Sequence, residues 1–471
     1  MTHKQMSRLK SIYNRLIKLS QSWAVRQGFD SELARELRHE AILINHAGYL
    51  ENIPAYKRLA QEEGFTEVAD IRTIKQKLMS TDDVFKSYSQ DWLDAKEFSR
   101  MNQWLSDLYY ERIDMDTRGL KSIDDWIRRL HLAGIEVTYS SGTSGAFSFV
   151  PRDSMDWAQA RIANTSYLTA MLTYGKLGTS LTRLLLQPAM TLLSADNFAS
   201  VVKAVGMHDF DGVFLGFRRG RMGNQVLMQE LSPVFRRHYF LYDIDLTATA
   251  LRCLRRGAQT EEERSLLEGF QAEVNGKRDH NYLKVLEHMR VSTGEGQKVF
   301  IFGAPYQFKE LCEVAAAENR KPNLKKGSLI LFGGGWKSFT GETMGRESLV
   351  AMLSETFDIP SDRILEGYSM TEISMLMLRC DAGRFHIPPM MEPVVFDEEL
   401  SPLEGQDLSG TFGFLDPLAV SHPGFLISGD HVRMVDEECA CGLGGPALTH
   451  IGRARSSEVK GCGGTMGSFK A

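Results

Sequence analysis

From residue 7 to about residue 126 apolar side chains recur at three- and four-residue spacing. Leu9, Ile12, Tyr13, Leu16 and Ile17 fall on one face of the first segment, with Lys10, Arg15 and Lys18 between them. That period predicts a helical region over residues 1–130. Its basic amphipathic start fits either a first helix packed on the body with a solvated basic face or a surface that touches a membrane or a partner. Asn52-Ile53-Pro54 and Ser80-Thr81-Asp82-Asp83 punctuate the region, the second as a helix start. After Gly134 short β-like runs alternate with helical ones, the pattern of βαβ units. Strands are expected over 135–139, 298–302 and 329–332, the first feeding a Ser/Gly loop and the third running into Gly333-Gly334-Gly335-Trp336-Lys337. Helices are expected over 158–173 and from Gly303-Ala304-Pro305 through Ala317, with a charged helical stretch over 245–289. From about residue 380, and most plainly from Phe412 onward, Gly, Pro and short apolar stretches predict a smaller β-rich subdomain. The fold class is α/β.

Composition and charge narrow the possibilities. A chain of 471 residues can bury a large core, and 43% hydrophobic with 24% charged residues is ordinary for a globular protein. A net charge of −5 gives no general attraction to polyanions, so nucleic acid is excluded as a main partner. No run reaches the roughly 18 apolar residues of a membrane span; the longest candidate, 184–195, is broken by Gln187 and Pro188. The polar, basic N-terminus carries no apolar signal core. Six cysteines in so long a chain do not make a disulfide framework, and a reduced, cytoplasmic protein is expected.

Four stretches carry candidate chemistry. In Tyr139-Ser140-Ser141-Gly142-Thr143-Ser144-Gly145, the glycines can take positive φ and let successive N–H groups converge on an anion, while Ser140, Ser141, Thr143 and Ser144 add donors. Alone, such a heptad is equally a surface turn. It is not a Walker loop, because no Gly-Lys-Ser/Thr follows. Gly333-Gly334-Gly335 would let a flat ring approach the backbone. Glu366-Gly367-Tyr368-Ser369-Met370-Thr371-Glu372 offers an aromatic face, a hydroxyl and a carboxylate, and Ser428-Gly429-Asp430 a carboxylate at a turn. Singly, each reads as core, solvated charge or plain turn. A nucleophile elbow beginning at Gly367-Tyr368-Ser369 is excluded, since Thr371 stands where that motif needs its second glycine. Separately, Cys380-x5-His386 and Cys439-x-Cys441 supply four soft ligands in two close pairs, which suits a structural Zn²⁺. The alternative is buried thiols beside a hydrogen-bonded His386.

Taken in order, the loop, the Gly-rich strand end, Gly-Tyr-x-x-Thr-Glu, Gly-Asp and Gly452-Arg453 resemble the adenylate-forming superfamily of acyl-CoA synthetases, adenylation domains and luciferases. The resemblance covers residues 139–461. It implies the superfamily's large N-terminal domain, with mixed and parallel sheets flanked by helices and a β-rich subdomain. The expected divisions are a helical region over 1–130, this core over 131–451, and a hinge with a Gly-rich tail over 452–471. By matching motif, Ser140, Ser141, Gly142, Thr143, Ser144 and Gly145 would hold the ATP phosphates. Tyr368 would stack on adenine, and Gly333, Gly334 and Gly335 would line the adenine and acyl pocket. Thr371 would contact phosphate, Glu372 would hold Mg²⁺, and Asp430 and Arg453 would grip the ribose. The implied chemistry is attack of a carboxylate on the α-phosphate with loss of pyrophosphate.

Two departures narrow the subfamily. Ala146-Phe147-Ser148 stands where a lysine often follows the loop, and only 18 residues follow Arg453, too few for the usual C-terminal lid and its lysine. Lys337 and Lys460 are candidates to replace that lysine. Both departures, with Gly-Gly-Gly-Trp-Lys, resemble the acyl-protein synthetase family of bacterial bioluminescence, in which acyl passes from AMP to a cysteine near the C-terminus and then to a reductase. Cys462, flanked by glycines, is the matching thiol, and Lys460 would favour its thiolate. The resemblance implies a fatty acid as substrate and a reductase or carrier protein as acceptor. The runners-up are an aryl-acid ligase using coenzyme A or a carrier protein, and a nucleotide-binding homologue without catalysis. The Cys/His grouping is similar to one in phenylacetate-CoA-ligase-like relatives.

Overall fold

The computed structural model describes residues 2–65, 67, 69–140, 146–172, 209–336 and 343–453. It divides into two compact units: Met1–Leu168 with Thr371–Ala471, and Thr169–Met370, which is inserted into the first. The N-terminal helices thus share a unit with strands that follow residue 371.

In the first unit, helix His3–Ala24 starts at a capping box, with the Gln5 N–H donating to Thr2 Oγ1 and the Thr2 N–H to Gln5 Oε1. Its stripe of Leu9, Ile12, Tyr13, Leu16 and Ile17 is buried, as the period predicts. Helix Ser31–Asn52 is capped by Asp30, and Pro54 opens helix Pro54–Glu62. The helices are fastened to a turn far along the chain. Tyr13 donates to the Pro417 carbonyl at 2.7 Å, and Asn45 to the Pro417 and Ala419 carbonyls at 2.7 and 3.2 Å. A helix does start within Ser80-Thr81-Asp82-Asp83, the short 3-10 helix Asp82–Lys86 with Thr81 at its N-cap, and a two-residue strand, β1 (Ser80–Thr81), precedes it. β1 pairs in parallel with Leu426 and Ile427.

Helices Phe98–Asp107 and Ile123–Leu132 lead into β2 (Ile135–Ser140), which pairs antiparallel with β3 (Ser148–Asp153) from Ile135↔Asp153 to Ser140↔Ser148. The Ser/Gly loop therefore joins two strands of a hairpin and does not pass from strand to helix. The second strand is hidden in the sequence because Pro151 and Arg152 interrupt its apolar run; Pro151 lacks an N–H, which a hairpin strand tolerates on its unpaired side. Helix Ser154–Leu172 follows.

The inserted unit has the βαβ texture anticipated after Gly134. Strands β4 (Phe210–Gly220), β5 (His238–Leu246), β6 (Lys298–Gly303), β7 (Leu329–Gly333) and β8 (Ile364–Tyr368) run parallel in the order β5-β4-β6-β7-β8. Val213, Leu215, Ile301, Ile330 and Phe332 pack with Phe308 and Leu353 from helices Pro305–Ala317 and Arg346–Phe357. Burial from the helices makes β6 and β7 nearly continuous apolar runs, which is why they are legible.

In the first unit the short β9 (Met377–Leu378) precedes the β-rich part anticipated beyond residue 380, β10 (Phe385–His386), β11 (Glu392–Phe396), β12 (Asp407–Leu415), β13 (Phe425–Val435) and β14 (Ala447–Arg453). Five of them make an antiparallel sheet, β10-β14-β13-β12-β11, and β1 joins at β13. Among the described residues no helix is long and apolar enough to cross a membrane.

One buried carboxylate ties the N-terminal helices to this sheet. Glu392, the first residue of β11, accepts from Arg38 Nε at 2.7 Å and Lys75 Nζ at 2.5 Å, and His39 Nε2 lies 3.3 Å away. Burial opposes its ionisation, but His39, Arg38 and Lys75 outweigh burial and hold its pKa well below the ordinary 4.5. Its contribution to stability is therefore present above that value and is lost as the pH falls through the lower one. Glu392→Ala would leave these cations unmatched and is expected to cost about 3–5 kcal/mol in urea unfolding at neutral pH. A loss below about 1 kcal/mol would mean that the cluster does not hold the helices.

Candidate active site and metal centre

In the inserted unit the parallel strands end in glycine. Gly333 closes β7 opposite Gly367 of β8, and a Cβ at 333 would lie 2.7 Å from the Gly367 carbonyl oxygen. Gly334 and Gly335 follow with φ of 87° and 64°, a region that bulkier residues avoid. Tyr368 ends β8 beside them. The sequence-predicted Gly333, Gly334, Gly335 and Tyr368 are thus brought together at the carboxyl edge of a parallel sheet, the edge at which such sheets bind ligands. Lys337 lies outside the described residues.

In the other unit, Ser140 ends β2 and Ser148 begins β3; Ser141, Gly142, Thr143, Ser144 and Gly145 lie outside the described residues. Buried Ser148 donates from Oγ to Glu372 Oε1 at 2.6 Å, and Glu372 is only 3% exposed. Four residues along the same strand, and so on the same face, Arg152 donates to the Thr371 carbonyl at 2.8 Å and to Thr138 Oγ1 at 2.6 Å. The hairpin therefore grips the Thr371-Glu372 segment at two points. Burial pushes the Arg152 pKa down to about 10, against the opposing pull of Asp416, Glu372 and Asp156. It remains charged at neutral pH.

Further polar groups gather here that sequence reasoning missed. Asp416 accepts from the N–H groups of Ser374 at 3.0 Å and Leu418 at 2.9 Å, and burial raises its pKa. Asp156 accepts from the Ser421 N–H at 2.7 Å and is pushed up to about 7 by burial. His422 is buried with neither ring nitrogen hydrogen-bonded among the described residues, and burial, reinforced by Arg152, holds it neutral. Arg152 had one signal in the sequence, a charge on the face of β3 shared with Ser148 and Val150.

Asp430 and Arg453, 23 residues apart in sequence, are register partners across β13 and β14. The Asp430 N–H donates to Ser428 Oγ at 3.2 Å. Cys462 and Lys460 lie outside the described residues.

The predicted metal ligands do converge. The donor atoms of Cys380, His386, Cys439 and Cys441 all lie within 4.8 Å of one another. Cys380 Sγ is 3.7 Å from Cys439 Sγ, and Cys441 Sγ is 3.2 Å from His386 Nε2. Tetrahedral Zn²⁺ bonds of about 2.0–2.3 Å place ligand atoms roughly 3.5–3.8 Å apart, so the set fits. The Cys441 thiol and then His386 favour the Cys380 thiolate, the ligating form. The turn that presents Cys439 and Cys441 is closed by the Gly442 N–H to the Cys439 carbonyl at 2.8 Å, with Gly442 at φ 80°. The first helix braces it from outside. Trp23 Nε1 donates to the Gly444 carbonyl at 2.8 Å, and Arg26 Nε to the Cys441 carbonyl at 2.6 Å. Cys253 and Cys312 are buried in the inserted unit.

Comparison with known proteins identifies the family and the fold. Residues 217–469 match the family described as "Acyl-protein synthetase, LuxE". A long-chain-fatty-acid–luciferin-component ligase of Vibrio harveyi is 27% identical over 184 residues, 38% of this chain and 48% of that protein. Its Aliivibrio fischeri counterpart is 22% identical over 152 residues, 32% of this chain and 40% of that one. The chain thus spans about half the length, or less, of these curated relatives. An open conformation of 2-hydroxyisobutyryl-CoA ligase, in complex with 2-HIB-AMP and CoA, superposes with a TM-score of 0.53 at 14% identity, covering 91% of this chain and 71% of that one. The thioesterification-state structure of that ligase gives 0.50 at 15% identity, covering 91% and 70%. Such likeness shows the fold alone, a mixed α/β adenylate-forming fold.

The buried Asp156 yields a pH test. Between the ordinary 3.8 and about 7 the native state holds a proton that the unfolded chain has released, so Asp156 removes stability as the pH rises through that window. Asp156→Asn keeps an acceptor for Ser421 and is expected to raise Tm over the wild type near pH 8. The gain should shrink steeply towards pH 4, at the foot of that window, where the native carboxyl is protonated and the unfolded one nearly half so. A pH-independent difference between the two proteins would contradict a buried, mostly neutral Asp156.

Proposed function

Because the chain belongs to the acyl-protein synthetase family, LuxE, we propose that it activates a carboxylic acid with ATP as an acyl-adenylate and passes the acyl group to a thiol. The observation that carries this reading is the Ser148–Glu372 hydrogen bond. It fastens the exit of the Ser/Gly loop to the Thr-Glu segment, the two parts that handle phosphate and its metal in adenylate formation. In the reaction a carboxylate oxygen attacks the α-phosphorus and pyrophosphate leaves; a thiolate then attacks the acyl carbonyl and AMP leaves. Amides and hydroxyls from Ser140 to Gly145 hold the phosphates, and Thr371 adds a contact. Glu372 holds Mg²⁺, which when bound neutralises charge on the departing pyrophosphate. Tyr368 with Gly333, Gly334 and Gly335 takes adenine, and Asp430 with Arg453 takes the ribose. Lys337 serves as a further cation.

Cys462, in the glycine-flanked tail of residues 452–471, receives the acyl group, and a partner protein, a reductase or a carrier, receives it next. A fatty acid is the favoured substrate, supported by the names of the Vibrio and Aliivibrio relatives. The Cys380, His386, Cys439 and Cys441 cluster holds a structural Zn²⁺. Four protein ligands close a tetrahedral site and leave no open position for a substrate, the form of a structural zinc.

Acid-dependent exchange of labelled pyrophosphate into ATP, over a panel of fatty and aryl acids, tests the activation. Fatty acids are expected to stimulate exchange and Glu372→Ala to lower it by about 100-fold or more. Stimulation by aryl acids alone would move the substrate class, and ATP binding without exchange for any acid would reduce the protein to a nucleotide-binding homologue. With labelled acid, Cys462→Ala is expected to abolish the hydroxylamine-sensitive label on the protein; a label that survives would place the acceptor elsewhere. Metal analysis after dialysis should find one Zn²⁺ per chain, and its removal by chelator should lower Tm. A zinc-free protein with an unchanged Tm would reject the metal.

A further inference from the structure

Lys86 belongs to none of the motifs above, yet the fold places it beside two of them. It ends the short 3-10 helix Asp82–Lys86, whose preceding strand β1 pairs with Leu426 and Ile427 of β13, immediately before Ser428-Gly429-Asp430. The helix packs on β3, and two residues past Lys86 the Tyr88 hydroxyl donates to the Phe147 carbonyl at 3.1 Å. Phe147 is the neighbour of Ser148, which holds Glu372. The segment from 80 to 88 is thus pinned at one end to the Gly-Asp strand and at the other to the exit of the Ser/Gly loop, all within one unit.

The state of the ammonium is unusual for a helix-end lysine. Its side chain is only 18% exposed, and its neighbours are Asp83 at 3.3 Å, itself 78% exposed, and Asp82 at 3.7 Å. Among the described residues one of its three N–H groups has a hydrogen-bond partner, a long one to Asp83, so among them donor capacity is left over. Burial works against the charge, but Asp82, Asp83 and Glu372 overcome it and raise its pKa, so it stays an ammonium. Ion pairs of this spacing on a surface helix need no such burial. A divalent cation held at Glu372 would match that carboxylate, which leaves the lysine for phosphate oxygens.

We propose that Lys86 is a phosphate-binding residue, directing its ammonium at the polyphosphate of a nucleoside triphosphate held beside Glu372. The assignment rests on the ATP reading above. An ammonium on a polyphosphate is a charge-assisted contact, and its loss corresponds to about 10- to 100-fold in affinity.

The test compares ATP with adenosine on the full-length protein, with Mg²⁺ present, by titration calorimetry. Lys86→Met should weaken ATP about 10- to 100-fold and leave adenosine unchanged, whereas Lys86→Arg, which keeps the charge and the pairs to Asp82 and Asp83, should stay within about threefold of the wild type for both. Unchanged ATP binding by Lys86→Met overturns the proposal. A parallel loss of ATP and adenosine by both variants also overturns it, since it would mark a structural lysine. Pyrophosphate exchange separates the two claims. Wild-type exchange with an indifferent Lys86→Met removes only this assignment; wild-type ATP binding without exchange for any acid removes the ligase reading, while the ATP and adenosine comparison still decides the role of Lys86.

Discussion

A guanidinium taken out of water must have its donors matched and its charge compensated, and Arg152 imposes that requirement on its whole neighbourhood. It is 3% exposed and bonds the Thr138 hydroxyl and the Thr371 carbonyl. Once it is fixed, β3 cannot shift against Thr371 without stranding a buried charge. Ser148, on the same face of β3, then meets Glu372, and the carboxylate of the Thr-Glu motif is oriented before any ligand arrives. Preorganisation of this kind is what adenylate chemistry asks of a protein, because the reacting atoms carry the charge and the protein supplies position and field.

The same unit shows why its N-terminal helices belong to it. Glu392 on β11 gathers cations from two helices, Tyr13 and Asn45 reach the carbonyls at Pro417 and Ala419, and Trp23 with Arg26 braces the turn carrying Cys439 and Cys441. Cys380 and His386 approach that turn from β10 and its lead-in, and β10 pairs with the start of β14. A metal there would lock the beginning of the strand whose end, Arg453, is in register with Asp430. The helices are thus a cover for the β-sheet, and their amphipathic stripe is the visible trace of that packing.

Much of this was legible in the sequence where burial is one-sided or complete. The stripe from Leu9 to Ile17 and the apolar runs of β6 and β7 announce themselves because each position is sorted by a single requirement, exclusion from water. The metal cluster was legible because thiol and imidazole at short spacing have few other uses. The hairpin was not, since Pro151 and Arg152 break the run that would mark β3 as a strand. Lys86 was not, because Thr81-Asp82-Asp83 announces a helix start but not where that helix lies, which the long-range pairing of β1 with β13 decides. Local pattern records local burial; contacts such as Ser148 with Glu372, 224 residues away, leave no local trace.

If these residues form an acyl-adenylate, the intermediate itself can be caught. The protein would be incubated with Mg²⁺, a long-chain fatty acid and ATP labelled at the α-phosphate, quenched in acid and analysed for labelled acyl-AMP. With Cys462→Ala to block onward transfer, acyl-AMP should accumulate to about one equivalent per chain. Label that remains wholly in ATP, with the nucleotide bound and a panel of acids offered, would contradict the claim.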